Sequence, residues 1–216
     1  MMKKIAVVLS GCGVYDGSEI HEAVLTLYFL DRVGVRSQCF APDIPQAHVI
    51  NHLTGEKAEG ETRNVLVEAA RIARSNIQNL AELRAEDYHA VILPGGFGAA
   101  KNLSTFAFKG AECSVNPEVE RVMKEFNAAG KPVGILCIAP VMGAKVLHAE
   151  VTIGEDQGVA DAICHLGGSH VNKTVTEIHI DEAHNVVTTP AYMYDAHIAD
   201  VAEGIEKLVL EIVERA

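Results

Sequence analysis

Five cysteines lie along the chain, at positions 12, 39, 113, 137 and 164. Their number is odd and they form no Cys-x-x-Cys pair, the pattern of a reduced chain in which most are small core hydrophobes. Cys137 differs by its surroundings, Lys131-Pro-Val-Gly-Ile-Leu-Cys-Ile-Ala-Pro-Val-Met-Gly-Ala144. Val133 to Leu136 reads as a buried strand and Ile138 to Leu147 as a helix, so the thiol falls at a strand-to-helix turn, a nucleophile elbow. A helix N-terminus offers free N–H groups and a positive dipole end, and both lower a cysteine pKa. A reactive thiolate is therefore expected, with the Ile138 N–H aimed at a developing oxyanion. The competing reading is one more buried core cysteine.

Two glycine-rich loops follow other expected strands and meet the elbow at one sheet edge. They are Ser10-Gly-Cys-Gly-Val-Tyr-Asp-Gly-Ser-Glu19 and Leu93-Pro-Gly-Gly-Phe-Gly98. Glycines there let backbone approach a ligand and present amides to an anion, which makes Gly95 and Gly96 candidate oxyanion donors beside Ile138, with Cys12 a possible pocket neighbour. Position 16 is Asp where a dinucleotide fingerprint needs its third glycine, and no Gly-Lys-Ser/Thr occurs, so a nucleotide cofactor is not expected. Glu19 opens the next helix and either caps it, in a box with Asp16, or shares a proton with Cys137 as general acid or base. Of the ten histidines, His48 and His52 have i, i+4 spacing but no third ligand at a zinc-like distance, so no metal is expected. His165, His170 and His197 remain candidates to complete a Cys–His pair.

The elements that must position these groups alternate along the chain. Short apolar strands are expected at 5–9, 36–40, 90–93, 132–136, 175–180 and 186–189, the last two joined by the polar turn Asp181 to Asn185. Helices with 3.6-residue apolar stripes are expected from Ser18 towards Leu30, over Thr62 to Ser75, after the Asn116 cap with Pro117 as first helical residue, and over Ile198 to Ile212. Alternation of this kind specifies βαβ units and a parallel sheet in a single domain over residues 1–216, with 98–115 and 154–172 as excursions.

Composition narrows the function. The chain has 216 residues, with 18 Lys and Arg against 29 Asp and Glu for a net charge of −11. Neither nucleic acid nor an anionic membrane surface suits such a balance. The longest uncharged stretch, Pro132 to Ala144, contains two prolines and falls short of the roughly 20 residues of a membrane helix. The opening Met1-Met2-Lys3-Lys4 leads into too short an apolar run for a secretory signal core, and a cytoplasmic location is expected.

Four segments together resemble one family: Gly134-Ile-Leu-Cys-Ile-Ala-Pro140, the Pro-Gly-Gly-Phe-Gly-Ala-Ala-Lys-Asn-Leu segment at 94–103, the opening Ser-Gly-Cys-Gly-Val-Tyr-Asp-Gly-Ser-Glu-Ile-His-Glu, and Val-Thr-Thr-Pro-Ala-Tyr-Met at 187–193. The chain is similar over essentially its whole length to the enhancing-lycopene-biosynthesis (sigma cross-reacting) branch of the class I glutamine amidotransferase-like superfamily, which includes the PfpI-type deglycases. The resemblance implies an α/β, flavodoxin-like three-layer sandwich with a mainly parallel sheet, Cys137 as elbow nucleophile and Glu19 as its protonated partner. It implies a homodimer and a glutathione-independent glyoxalase that converts a small dicarbonyl, glyoxal or methylglyoxal, to glycolate or lactate without metal or cofactor. Departures from the superfamily pattern count too. Ile135 and Ala139 replace the glycines that flank an amidotransferase nucleophile, and the lone His-x-Glu, His148-Ala-Glu150, directly follows the elbow helix, so glutamine hydrolysis is not expected. No His stands roughly 20 residues after Cys137, where deglycases carry one. The alternative function is a redox-sensing protein, or an accessory protein of isoprenoid biosynthesis, with Cys137 as oxidation sensor.

Overall fold

In the first strand, β1 (Lys4–Val8), Ile5 and Val7 pack into one apolar cluster while Ala6 and Val8 pack into another. The same two-residue alternation sends Ala90 and Ile92 one way and Val91 and Leu93 the other, so the sheet is buried on both faces. These features belong to a computed structural model that describes residues 2–216.

The strands in chain order are β1, β2 (Arg36–Ala41), β3 (Ile50–Asn51), β4 (Glu56–Lys57), β5 (Ile77–Asn79), β6 (Ala90–Leu93), β7 (Val133–Leu136), β8 (Glu150–Val151), β9 (Ser169–His170), β10 (His179–Asp181) and β11 (Val186–Thr189). Seven of them form the central sheet in the order β10-β11-β7-β6-β1-β2-β5, parallel throughout except for the β10–β11 hairpin. Helices α1 (Ile20–Arg32), α2 (Val65–Ile72) and α8 (Ile198–Arg215) cover the face that carries Ile5 and Val7. The opposite face is covered by α5 (Pro117–Ala128), α6 (Pro140–Leu147) and α7 (Gln157–His165), with the short α3 (Phe97–Lys101) and α4 (Phe106–Lys109) alongside. This is the α/β, flavodoxin-like three-layer arrangement that the family resemblance implies.

Local chemistry explains the boundaries. Asn116 accepts the Glu118 and Val119 amides at 2.9 and 3.4 Å and starts α5 on Pro117 as expected. The α2 stripe is shorter than the predicted 62–75, because Asn64 supplies the cap by accepting the Val67 N–H at 3.0 Å. The strand predicted at 175–180 pairs only over His179–Asp181. Upstream, Thr174 donates both its N–H and its hydroxyl to the Glu177 carboxylate at 2.8 Å, and this turn draws the chain out of the ladder. The edge strand β5, Ile77–Asn79, carries too little apolar pattern to be read from sequence.

Strands β1, β6 and β7 are neighbours, so the loops after them emerge side by side at the carboxyl edge of the sheet. Two of these loops touch backbone to backbone. The Gly98 N–H donates to the Gly17 carbonyl at 2.8 Å, and a Cβ on Gly98 would collide with Ser10 Oγ and the Gly17 backbone. Gly98→Ala is expected to cost about 1–3 kcal/mol through overpacking, read as a lower urea midpoint. An unchanged midpoint would show that the two loops can separate freely.

Candidate active site

Cys137 holds a left-handed backbone (φ 61°), strained for any residue with a side chain, at the end of β7. Its N–H donates to the Thr189 carbonyl of β11 at 3.0 Å, and α6 begins on Pro140 three residues later. The elbow is thus two residues longer than predicted, with Ile138 and Ala139 in the turn and not in the helix. The turn brings the sulfur to the loop after β6, where the Gly96 amide, with that of Ile138, favours its charged form. Gly96 has a φ of 91° and no room for a Cβ, which would collide with the Glu19 amide and the Gly17 carbonyl.

The carboxyl that meets the thiol is Glu22, not Glu19. Glu22 is fully buried in the first turn of α1, and its carboxyl and the Cys137 thiol influence each other directly. Its carboxyl also accepts the Gly95 N–H at 2.9 Å and the Tyr192 N–H at 3.3 Å. Glu19 is the N-cap of α1: its carboxylate accepts the Glu22 N–H at 2.8 Å and its own N–H donates to the Gly95 carbonyl at 3.0 Å. Asp16 takes no part in a capping box, because its carboxylate accepts the Ile50 N–H at 2.7 Å. Gly95 is likewise withdrawn from the expected set of oxyanion donors, since its amide is spent on Glu22. Sequence contained a signal for Glu22 that a search for caps passes over: it lies in phase with Thr26, Phe29 and Leu30 on the buried stripe of α1.

Electrostatics overturn the expected thiolate. Burial, and after it the neighbouring Glu22, push the Cys137 thiol well above its ordinary range, and the Gly96 and Ile138 amides offset this only in part. Burial and the charge of Glu19 push Glu22 up from its usual 4.5 to about 8, against the opposing hydrogen bonds from Cys137, Gly95 and Tyr192. Thiol and carboxyl are therefore both protonated through most of the neutral range.

Around the sulfur opens a cavity of about 400 Å³ walled by Val14, Phe97, Ala100, Phe106, Ala107, Ile138, Val159 and Met193, with Glu19 and Tyr192 at its polar side. The stretches read as excursions thus supply walls, Phe106 and Ala107 from one and Val159 from the other. His165, His170 and His197 are not on that wall. His165 bonds the Asp161 carbonyl at 2.7 Å, His170 accepts the Ile153 N–H at 3.2 Å, and His197 precedes α8. The imidazole that does approach the site is His21, whose Nδ1 lies 2.8 Å from the Tyr192 hydroxyl. Cys12 is not a pocket neighbour; Arg71, Glu68, Asp16 and Arg63 surround it, and burial raises its pKa. Cys39 and Cys113 are buried, whereas Cys164, expected in the core, is exposed. Among the described residues no group of three or more His, Cys, Asp or Glu side chains is arranged to hold a metal ion, His48 and His52 included. Also among the described residues, no helix is long and apolar enough to cross a membrane.

No protein-family model matches the chain. It is 54% identical over 221 residues to the human glutamine amidotransferase-like class 1 domain-containing protein 3, mitochondrial, covering 98% of this chain and 82% of the relative. It is 37% identical over 228 residues to the zebrafish ES1 protein, mitochondrial, covering 97% and 84%. Among solved structures, an isoprenoid biosynthesis protein with amidotransferase-like domain from Ehrlichia chaffeensis superposes with a TM-score of 0.92 at 37% identity over 99% of both chains. Drosophila melanogaster DJ-1beta, at 18% identity and a TM-score of 0.55 over 100% and 96% of the two chains, shares the fold. The mitochondrial names of the human and zebrafish relatives overturn the cytoplasmic expectation.

The raised Glu22 pKa has a signature in stability. A carboxyl protonated in the folded chain and ionised in the unfolded one contributes fully below the unfolded value and loses that contribution as pH climbs to the folded one. From Glu22 the chain is expected to lose stability from about pH 4.5 to about pH 8, and Glu22→Gln to flatten that slope. Urea midpoints at pH 5, 7 and 9 for both proteins check it, and parallel slopes would refute the assignment.

Proposed function

The chain belongs to the ES1 family of glutamine amidotransferase-like class 1 proteins, and from that premise we propose that it is a cofactor-free glyoxalase acting through Cys137. The observation that carries this reading is the buried Cys137–Glu22 pair, with the Gly96 and Ile138 amides on the sulfur, opening onto a cavity without a cationic side chain among the described residues. A thiol nucleophile, a proton acceptor beside it and two amides for an oxyanion suit addition to an aldehyde.

Glu22 as carboxylate takes the thiol proton while the sulfur bonds to the aldehyde carbon and the carbonyl π pair moves onto oxygen, close to the amides. Glu22 then returns the proton to that oxygen and a hemithioacetal results. Glu19, which lines the cavity, removes the hydrogen of the sulfur-bearing carbon as a proton and delivers it to the neighbouring carbonyl carbon, while the hemithioacetal hydroxyl gives its proton to the neighbouring oxygen. The first carbon is oxidised to a thioester and the second reduced to an alcohol, so no external redox partner is needed. Water cleaves the thioester, releases the 2-hydroxy acid and restores the thiol. Tyr192, its hydroxyl held by His21, borders the same wall and orients the carbonyl that is reduced.

The alternatives fare less well on the same features. A thiol that is buried and protonated reacts slowly with peroxide, which weakens the oxidation-sensor reading. The Ehrlichia relative is named for isoprenoid biosynthesis, but a prenyl diphosphate would find no cation on this cavity wall among the described residues. Glutamine meets the same obstacle at its α-carboxylate.

Purified protein with glyoxal is expected to form glycolate, and Cys137→Ala to form none above the uncatalysed rate. Equal glycolate from both would refute the reading. Because the working form of Glu22 is the carboxylate, kcat/KM is expected to rise with pH around pH 8. Glu22→Gln is expected to lower it by about 100-fold or more and to abolish the rise. A Glu22→Gln variant that keeps both activity and pH profile would remove Glu22 from the chemistry.

A further inference from the structure

The cavity over Cys137 is larger and more apolar than glyoxal requires. Val14, Phe97, Phe106, Ile138, Val159 and Met193 supply most of its wall, and its volume of about 400 Å³ falls among pockets that enclose ligands with a sizeable apolar part. Its only ionisable side chains among the described residues are Glu19, Tyr192 and Cys137. Lys101, on the helix that carries Phe97, is not on the wall: its ammonium sits over the Phe97 ring, 5.1 Å from the centroid, and donates to the Tyr15 carbonyl at 2.8 Å. An anionic substrate, such as a 2-oxo acid or a phosphorylated aldehyde, would meet the Glu19 carboxylate with no cation to balance it. Phe97 is also nearly half exposed, at 47%, although it lines the cavity, so an apolar ligand would cover surface that the chain itself leaves open.

We propose that the site is built for uncharged 2-oxoaldehydes that carry an apolar substituent, a medium alkyl chain or an aryl ring, with the aldehyde carbon at Cys137 and the substituent against Phe97, Phe106, Val159 and Met193. This rests on the reading of Cys137 as a carbonyl nucleophile. The chemistry is the same internal redox: thiol adds to the aldehyde carbon, a proton moves from that carbon to the adjacent one, and water releases the substituted 2-hydroxy acid. The apolar wall contributes transfer free energy for each methylene withdrawn from water, and that gain appears in kcat/KM.

The test compares glyoxal, methylglyoxal, 2-oxohexanal and phenylglyoxal on the intact chain, with the hydroxy acid detected directly. At about fourfold per buried methylene, 2-oxohexanal is expected to exceed methylglyoxal by roughly fiftyfold in kcat/KM, with phenylglyoxal also above methylglyoxal. Turnover of glyoxal with a flat or falling series would overturn the substituent proposal and leave the glyoxalase reading standing. If no acid forms from any of them, the glyoxalase reading fails, and the ligand class is read from protection of Cys137 against alkylation, followed by mass spectrometry. Hexanal is then expected to protect at a concentration at least about tenfold below that of glyoxylate, and equal protection would overturn the proposal. Val159→Arg provides a second variant. Val159 is partly exposed, so the new cation has a path to solvent, and the advantage of hexanal over glyoxylate should shrink or reverse; an unchanged ratio would place the ligand elsewhere.

Discussion

Glu22 is fully buried, and a buried carboxylate costs several kcal/mol unless hydrogen bonds or a proton offset it. Both remedies are present. Amides from Gly95 and Tyr192 donate into the carboxyl, the Cys137 thiol lies against it, and its pKa rises to about 8 so that it is mostly neutral near physiological pH. The four groups come from the start of α1 and from the loops after β6, β7 and β11. A displacement of any one of these segments would leave a buried polar group unsatisfied. The carboxyl therefore ties the start of α1 to the loops after β6, β7 and β11.

Close backbone approach around that carboxyl follows from residue size. Gly96 and Gly98 let the loop after β6 lie directly on the Gly17–Glu19 backbone, bringing the Gly95 amide to Glu22 and the Gly96 amide to sulfur. Asn102 locks the arrangement from the other side, with its Nδ2 donating to the Ser10 and Asp16 carbonyls, both at 2.9 Å. Nothing in this framework needs a flexible lid to assemble the pair. The thiol, the carboxyl and the amides are preorganised, which is what transition-state stabilisation by fixed dipoles demands.

Much of this was legible in the residues. A wholly apolar strand before Cys137, a helical pattern after it and glycine-rich loops after two other expected strands put Cys137 at the sheet edge without any coordinates. What sequence did not reveal is which of two glutamates three residues apart faces the thiol. Capping preference draws attention to Glu19, whereas the helical phase of Thr26, Phe29 and Leu30 selects Glu22, and phase wins because the helix is held by its buried face. The thiol pKa was misread for a related reason. A dipole argument from the helix start considers the positive end alone, while desolvation and the adjacent carboxyl act on the same atom and are larger. Histidines were weighed by their place in the sequence, and His21 was missed because it neighbours the site only through the Tyr192 hydroxyl.

The acidic balance of the chain and its apolar cavity act together on reactivity. A net charge of −11 disfavours anions near the surface, and a protonated thiol presents little thiolate to electrophiles that diffuse past. Reaction then depends on an event inside the cavity. In the proposed reaction, an uncharged aldehyde displacing water from beside Cys137 would lower the local dielectric and strengthen the Gly96 and Ile138 amides towards any negative charge on the new oxygen. The same dehydration raises the cost of leaving Glu22 ionised and favours its return of the proton. In the proposed reaction, burial that suppresses the free thiolate would thus also favour the adduct and select ligands able to enter an apolar space.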